Sequence, residues 1–366
     1  MSIKKKKTLA EKLADGNYYH STAIDKTGAE VRLILGTRKI GKSFDVKVYG
    51  AIDGYKNKLP FVVLRRWAMD FEKGGASSYM GDLSADDWLE ITDGQFNELE
   101  AKAGEYRLIY RNPDNWAIEK RSHLIGYYIA LTDAPHIKSR AYQKCGRIIF
   151  EEFMSESYYL PQEEEWLWSI VSTVGRGEFI PLYMIGNQIS RSCLYFRSWN
   201  LKGIPRQEAG TIEHYTIAVD YDQTERTLAV ELCSLRDSAG HDKKYRKSKD
   251  TRHHWQMHRI PKEPRAIKEL EKCWIFKGNM TYLLTFKVYE GHNYGILISP
   301  KTTAIQNNTR VIVKDIGLLD TRYKCSVCFA GLTPIERAKL ERHRHLIYFS
   351  DSLTAEDWKA EGVTIK

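Results

Sequence analysis

An apolar stretch, Val31-Arg32-Leu33-Ile34-Leu35, runs without a gap into Gly36-Thr37-Arg38-Lys39-Ile40-Gly41-Lys42-Ser43. No other feature limits the fold of this chain so tightly. The octet fits G-x-x-x-x-G-K-S/T, with a strand before it and a helical pattern from Lys42 after it, the context that this spacing requires. Gly36 and Gly41 let the backbone turn and approach a phosphate closely. The loop N–H groups and the helix N-terminus face the anion. Lys42 would reach the β and γ phosphates, and the Ser43 hydroxyl would bind Mg²⁺. The expectation is an α/β fold that binds ATP with Mg²⁺.

A nucleotide-hydrolysing site also needs a strand that ends in acids. Arg147-Ile148-Ile149-Phe150-Glu151-Glu152 supplies one. Glu151 would hold Mg²⁺ through water, and Glu152 would orient and polarise the attacking water. Two adjacent carboxylates favour an ATPase over a kinase. Asn187 follows the apolar strand Ile180 to Ile185, where it is either a sensor of the γ phosphate or an ordinary turn asparagine.

The rest of the composition narrows the class. A chain of 366 residues exceeds what one core usually holds, so two domains are expected. No apolar run approaches the ~20 residues that span a bilayer. Lys4 to Lys7 is not followed by an apolar segment, so neither a secretory signal nor a membrane partner is expected. Lys plus Arg exceeds Asp plus Glu by 56 to 47, a net charge of +9 that favours a polyanionic partner, nucleic acid first. Cys145, Cys193, Cys233, Cys273, Cys325 and Cys328 read as free buried thiols. Cys325-x-x-Cys328 with His343 and His345 evokes zinc, but two histidines at i and i+2 on a helix point to different faces.

Alternation of apolar strands with helical spacing indicates a mostly parallel sheet with helices on both faces. Strands are expected at Pro60 to Leu64, Tyr106 to Arg111 and Tyr127 to Leu131, and helices from Ser84 and over Glu163 to Val174. Residues 1–30 read as an irregular extension in which Tyr18 and Tyr19 are candidates for the adenine pocket. The layout is 1–30 extension, 31–235 nucleotide-binding domain, 236–266 basic linker and 267–366 a second α+β domain. The basic run from Lys243 to Lys249, continued by Arg252 and Arg259, reads as a phosphate-contacting segment or a solvated linker. Tyr282 to Tyr289, Tyr294 to Ser299 and Arg310 to Ile316 read as an antiparallel meander, followed by a helix from Thr333 and a strand at Leu346 to Phe349. That order opens an RNase H-like fold. A two-metal nuclease needs converging carboxylates. Glu290 and Asp315 do not make such a set, so no working two-metal site is expected there.

Four blocks carry a family resemblance: LILGTRKIGKSFDVK (33–47), FVVLRRW (61–67), KSRAYQKCGRIIFEEF (138–153) and STVGR (172–176) with the later Gly186-Asn187. In them the chain resembles the DNA-encapsidation ATPases of small tailed phages of the phi-twenty-nine type, relatives of terminase large subunits. The resemblance implies an ASCE P-loop ATPase that threads double-stranded DNA into a prohead. It implies a homomeric ring, pentameric in this family, with ATP between subunits. It also implies a phage portal (connector) and structural packaging RNA as partners, and a place in the host cytoplasm, transiently docked on the prohead. Terminases carry a nuclease on an RNase H-like fold and phages of this type package unit-length genomes without cutting them, so the resemblance implies an RNase H-like vestigial nuclease domain over 267–366. The family's arginine finger falls on Arg176, its trans-acting lysine on Lys138, and Arg38 matches a proposed cis sensor or finger. The family's acidic strand ends Asp-Glu whereas this one ends Glu151-Glu152, which leaves open a register in which Glu151 is catalytic. Two competing functions stand beside the motor: a terminase with an active C-terminal nuclease, and a non-catalytic nucleic-acid-binding scaffold.

Overall fold

The computed structural model describes residues 7–155, 159–188, 193–219, 221–233, 263–277, 280–290, 293–300, 311–313, 347–350 and 354. They fall into two compact units, which divide the chain into 1–189 with 199–255 and 190–198 with 256–366.

In the first unit, α1 (Leu9–Leu13) and α2 (Thr22–Asp25) precede β1 (Val31–Gly36), α3 (Lys42–Lys56) and β2 (Phe61–Arg65). Next come α4 (Gly75–Tyr79), α5 (Ala85–Ile91), β3 (Glu98–Lys102), β4 (Glu105–Arg111) and β5 (Ile118–Ala130). The unit continues with β6 (Arg147–Glu151), α6 (Glu163–Gly175), β7 (Leu182–Asn187), β8 (Thr211–Val219) and β9 (Thr224–Leu232). The strands form one nine-stranded sheet in the order β3-β4-β5-β2-β6-β7-β1-β9-β8. From β5 to β9 every pairing is parallel; β3 and β4 on one side and β8 on the other add antiparallel edges. This is the large, mainly parallel sheet expected from the strand–helix alternation.

The crossover from β1 to β2 travels one way along the sheet, and that from β6 to β7 travels the other. Right-handed connections put their helices, α3 and α6, on opposite faces. The packing agrees. Val46, Val48 and Ala51 of α3 share a buried cluster with Ile34, Val63, Ile149 and Ile185, whereas Leu167, Ile170, Val171 and Val174 of α6 are buried outside that cluster. Strands covered on both faces are largely apolar, and β1 is buried at every position, its one charged residue, Arg32, included.

The segment read as an irregular extension is ordered where it is described. Thr8 and Glu11 close a reciprocal capping box on α1, and Leu9, Tyr19 and Ile24 join the α3 cluster. Single apolar residues spaced among polar ones give no clear period, so these short helices escape pattern reading. Ser84 caps α5 as expected, with Asp87 completing the box.

In the second unit, β10 (Ala266–Lys277), β11 (Met280–Tyr289), β12 (Asn293–Pro300), β13 (Val311–Val313) and β14 (Ile347–Phe349) form a sheet ordered β13-β10-β11-β12-β14. The expected meander is corrected. Its antiparallel strands are β10, β11 and β12, while β13 pairs parallel with β10 and β14 parallel with β12. Register shifts between Ala266 and Lys268 and between Glu269 and Glu271 break the alternation that would have marked β10. Buried Tyr282, Leu284 and Phe286 alternate along β11 and give this sheet a core face. The basic run 243–259, Asp315, Cys325, Cys328, the Thr333 helix, His343 and His345 lie outside the described residues. Cys145, Cys193 and Cys233 are free and buried.

Candidate active site

Strand order brings the two motifs to one edge. β7 lies between β1 and β6, with Gly36 opposite Asn187 and Glu151 opposite Ile185. The phosphate loop, the acidic strand end and Asn187 therefore meet outside the carboxyl ends of the parallel strands, where open α/β sheets bind ligands. A cleft of about 350 Å³ opens there, lined among others by Arg38, Lys39, Gly41, Lys42, Ser43, Glu151, Glu152 and Asn187.

The loop is held tight from below. A Cβ on Gly36 would sit 2.9 Å from Ile40 Cδ1 and 3.0 Å from Cys233 Cβ. Gly41, at φ +89°, sits in the left-handed region as it opens α3. Thr37 and Ile40 are buried, while Arg38 and Lys39 are exposed at the loop's tip. The Lys42 ammonium, 5% exposed, donates to the carbonyls of Gly36 at 3.1 Å and Thr37 at 2.6 Å and to Asn187 Oδ1 at 3.3 Å. Burial lowers its pKa to about 8, against the pull of Cys233 and Glu151. A buried lysine resting on carbonyl oxygens lacks an anionic partner, and a triphosphate in the cleft would provide one.

The two acids have different surroundings. Glu151 is buried and accepts from Ser43 Oγ at 2.9 Å and from the Tyr79 hydroxyl at 3.0 Å. Burial raises its pKa, opposed by those two hydrogen bonds and by Lys47 and Arg65. A carboxylate whose charge burial disfavours, touching a serine hydroxyl, is a donor set that suits a divalent cation. Glu152 lies beyond the strand end at φ +53°, its side chain 60% exposed and bonded to Arg65 at 2.9 Å. Glu151 thus faces Ser43 and Tyr79 in a buried setting, whereas Glu152 is the exposed one of the two.

A family model for the podovirus DNA encapsidation protein (Gp16) matches residues 13–208. The chain belongs to the podovirus DNA encapsidation protein family. The DNA packaging proteins of Bacillus phages phi29 and PZA are each 29% identical to it over 175 residues, 47% of this chain and 46% of theirs. The chain thus spans about half the length of those relatives in the match. Its fold resembles the bacteriophage phi-29 viral genome packaging motor assembly, with a TM-score of 0.56 and 19% identity over 94% of this chain and 98% of that one. It also resembles the phi-28 gp11 DNA packaging motor, with a TM-score of 0.55 and 16% identity over 94% and 96%.

Two residues assigned by family likeness stand away from the chain's own cleft. Arg176 is exposed and ends α6 at φ +49°. It precedes Leu182, which pairs with Val31 at the start of β1, so it lies toward the sheet edge opposite the loop. Lys138 is exposed in the connection between β5 and β6. Neither lines the cleft. Tyr19 is no adenine platform: it is 4% exposed, its N–H donates to the Ile40 carbonyl at 2.7 Å and its hydroxyl to Glu231 at 2.7 Å. Tyr18 lies against the loop, its Cβ 3.3 Å from where a Gly41 Cβ would stand.

Pattern reading missed Arg65, Arg66, Tyr79 and Asp82. Lys47 donates to Asp82 at 2.6 Å and to the Tyr79 carbonyl at 2.8 Å, which fixes the tyrosine that supports Glu151. The doubled arginine after an apolar strand was the one available signal.

Proposed function

We propose that this protein is a translocating ATPase that drives double-stranded DNA into a prohead. The observation that carries the reading is the cleft itself, where Lys42, Ser43, Glu151, Glu152 and Asn187 converge beside a left-handed glycine loop. Family membership selects DNA as the substrate moved. Gly36 to Ser43 would cradle the phosphates with main-chain N–H groups, and Lys42 would shift from its carbonyl partners onto the β and γ phosphates. Ser43 and Glu151 would hold Mg²⁺, which when bound offsets charge on the phosphate oxygens. Glu152 would accept hydrogen bonds from the attacking water, and Asn187 would register the γ phosphate.

In this reading the motor is a ring of identical subunits, five by family likeness. Arg176 and Lys138 reach into the neighbour's cleft and stabilise charge on the transferring group. Portal and structural packaging RNA are the docking partners on the prohead. The second unit is a vestigial nuclease domain of RNase H-like ancestry. Its meander with a parallel fourth strand supports that ancestry, whereas a fifth strand beside β12 departs from the simple pattern.

DNA-stimulated ATPase activity measured against protein concentration tests the reading. Activity per subunit should rise steeply as rings assemble, and Glu152→Gln should abolish turnover while leaving nucleotide binding intact. Concentration-independent turnover, or a Glu152→Gln protein that still hydrolyses ATP, would overturn it. Mg²⁺- or Mn²⁺-dependent nicking by the full chain would favour an active terminase instead.

A further inference from the structure

β2 ends in two adjacent arginines with different surroundings. Arg65 pairs with the Glu152 carboxylate at 2.9 Å and with Asp70 at 3.5 Å. Arg66 is buried, 8% exposed. Its Nε and Nη2 donate to the two carboxylate oxygens of Glu163 at 2.7 and 2.9 Å, and Glu163, the first residue of α6, is 1% exposed. The same guanidinium donates through Nη2 to the Phe153 carbonyl at 2.7 Å and through Nη1 to the Glu152 carbonyl at 3.2 Å. The Tyr159 ring lies 5.2 Å from it and the Phe150 ring 5.9 Å. Glu163 also accepts from the Leu160 N–H at 2.9 Å, which closes the turn before α6.

A buried ion pair is an indifferent way to stabilise a fold, because desolvation offsets most of the attraction and an apolar pair of similar volume does as well. The geometry here serves something else. A planar fork of fixed donors joins the end of β2, the turn after β6 and the start of α6. Glu152 occupies the left-handed region, which strains a non-glycine residue and persists only where neighbours hold it. Its N–H donates to the Ile185 carbonyl at 2.9 Å, and its carbonyl accepts from Arg66. With both main-chain groups of one peptide position pinned, the direction in which its side chain leaves the backbone is set.

We propose that Arg66, anchored by Glu163, is a positioning residue for hydrolysis: it clamps the main chain of Glu152 so that the carboxylate points into the cleft. The inference rests on the reading of Glu152 as the residue that aims the water. Arg66 touches neither nucleotide nor water in this scheme and acts only through Glu152. A lysine at position 66 keeps the charge but lacks the fork, so it cannot hold the carboxylate and both carbonyls together.

Three full-length variants test the clamp: Arg66→Lys, Glu163→Gln and the double replacement Arg66→Met with Glu163→Leu. Each is measured for kcat and KM of DNA-stimulated ATP hydrolysis, for binding of a fluorescent ATP analogue, and for thermal unfolding. A misplacement of about 1 Å at a catalytic group costs on the order of 100-fold in rate. We expect kcat to fall by about that factor in all three, with KM and analogue affinity within about twofold of the parent. The double variant keeps the site filled with apolar volume but leaves the Glu152 and Phe153 carbonyls and the Leu160 N–H without these partners, so it should melt a few degrees below the parent and stay folded at the assay temperature. Turnover lost about 100-fold in a folded protein of undiminished nucleotide affinity is what a merely structural arginine would not produce. The clamp is refuted if the double variant turns over ATP at the parental rate, or if kcat falls only in step with affinity and melting temperature. Glu152→Gln run alongside separates the two levels. If that variant hydrolyses ATP, the underlying reading fails; if it is inactive while the Arg66 variants are fully active, only the clamp fails.

Discussion

The charge on Lys42 gives a pH dependence with a defined sign. Burial brings its pKa from 10.5 to about 8. Below that pH the ammonium is present and attracts a triphosphate; above it the amine is neutral and the attraction is gone. A bound polyphosphate supplies the anion that the carbonyls of Gly36 and Thr37 cannot, so in the complex the pKa is raised again. Linkage then requires nucleotide affinity to fall with pH as one proton per site is taken up on binding. The apparent dissociation constant scales as about 1 + 10^(pH − 8), so it should weaken about tenfold between pH 7 and pH 9. Without nucleotide the sign reverses. The unfolded chain holds its lysine proton up to about 10.5, so the apo protein gains stability as pH climbs through about 8. Titration of a fluorescent ATP analogue at constant ionic strength from pH 7 to 9.5 reads the first effect. Calorimetry at pH 8 in buffers of different ionisation heat counts the proton, which should be about one half per site. Lys42→Met should bind weakly and show no such slope. An affinity independent of pH over that range in the parent protein, or the same slope in Lys42→Met, would refute the assignment of Lys42 as a buried phosphate ligand.

Three further outcomes are expected. Tyr79→Phe removes a donor to buried Glu151, which raises that carboxyl's pKa further. Mg²⁺ dependence of nucleotide binding should shift to higher Mg²⁺ at pH 7 and recover as pH rises, as a Mg²⁺ titration at two pH values will show. Gly36→Ala drives a methyl to 2.9 Å from Ile40 Cδ1 and 3.0 Å from Cys233 Cβ; urea unfolding should register a loss of about 1–3 kcal/mol. Arg176→Ala should leave analogue binding unchanged and stop turnover, and mixing it with Glu152→Gln subunits should restore part of the activity, because some interfaces then pair an intact cleft with an intact arginine.

What pattern reading found and what it missed differ in range. Gly36 to Ser43, β6 and α6 were legible because each is a local string whose period or spacing states its conformation. The Ser84–Asp87 capping box was legible for the same reason. The support around the cleft was not. Tyr79 meets Glu151 across 72 positions and Arg66 meets Glu163 across 97, and no local period encodes such pairs. β3 carries Glu98, Glu100 and Lys102 on an edge strand, where charge protects against stray pairing and hides the strand from a hydrophobicity scan. β10 hides in the same way behind Lys268, Glu269, Glu271 and Lys272 and two register shifts.

The layout of the sheet bears on the proposal that the site is shared between copies. Parallel strands give the unit two unlike edges. The loop, Glu151, Glu152 and Asn187 lie at the edge where β1, β6 and β7 end. α6 starts at that edge, held to it by Arg66 and Glu163, and its 13 residues carry the chain about 20 Å back toward the other. Arg176 sits at its far terminus, too distant to serve the cleft where the helix began. Of the cations near its own cleft, Lys42 rests on main-chain carbonyls, Arg65 is engaged with Glu152 and Asp70, and Arg38 and Lys39 of the loop line the cleft as well. In the ring proposed above, charge that develops on a transferring phosphoryl group would be met by an arginine from another molecule. In a head-to-tail ring of identical chains one edge of each subunit faces the opposite edge of the next, and Arg176, which stands away from its own cleft, would then face its neighbour's.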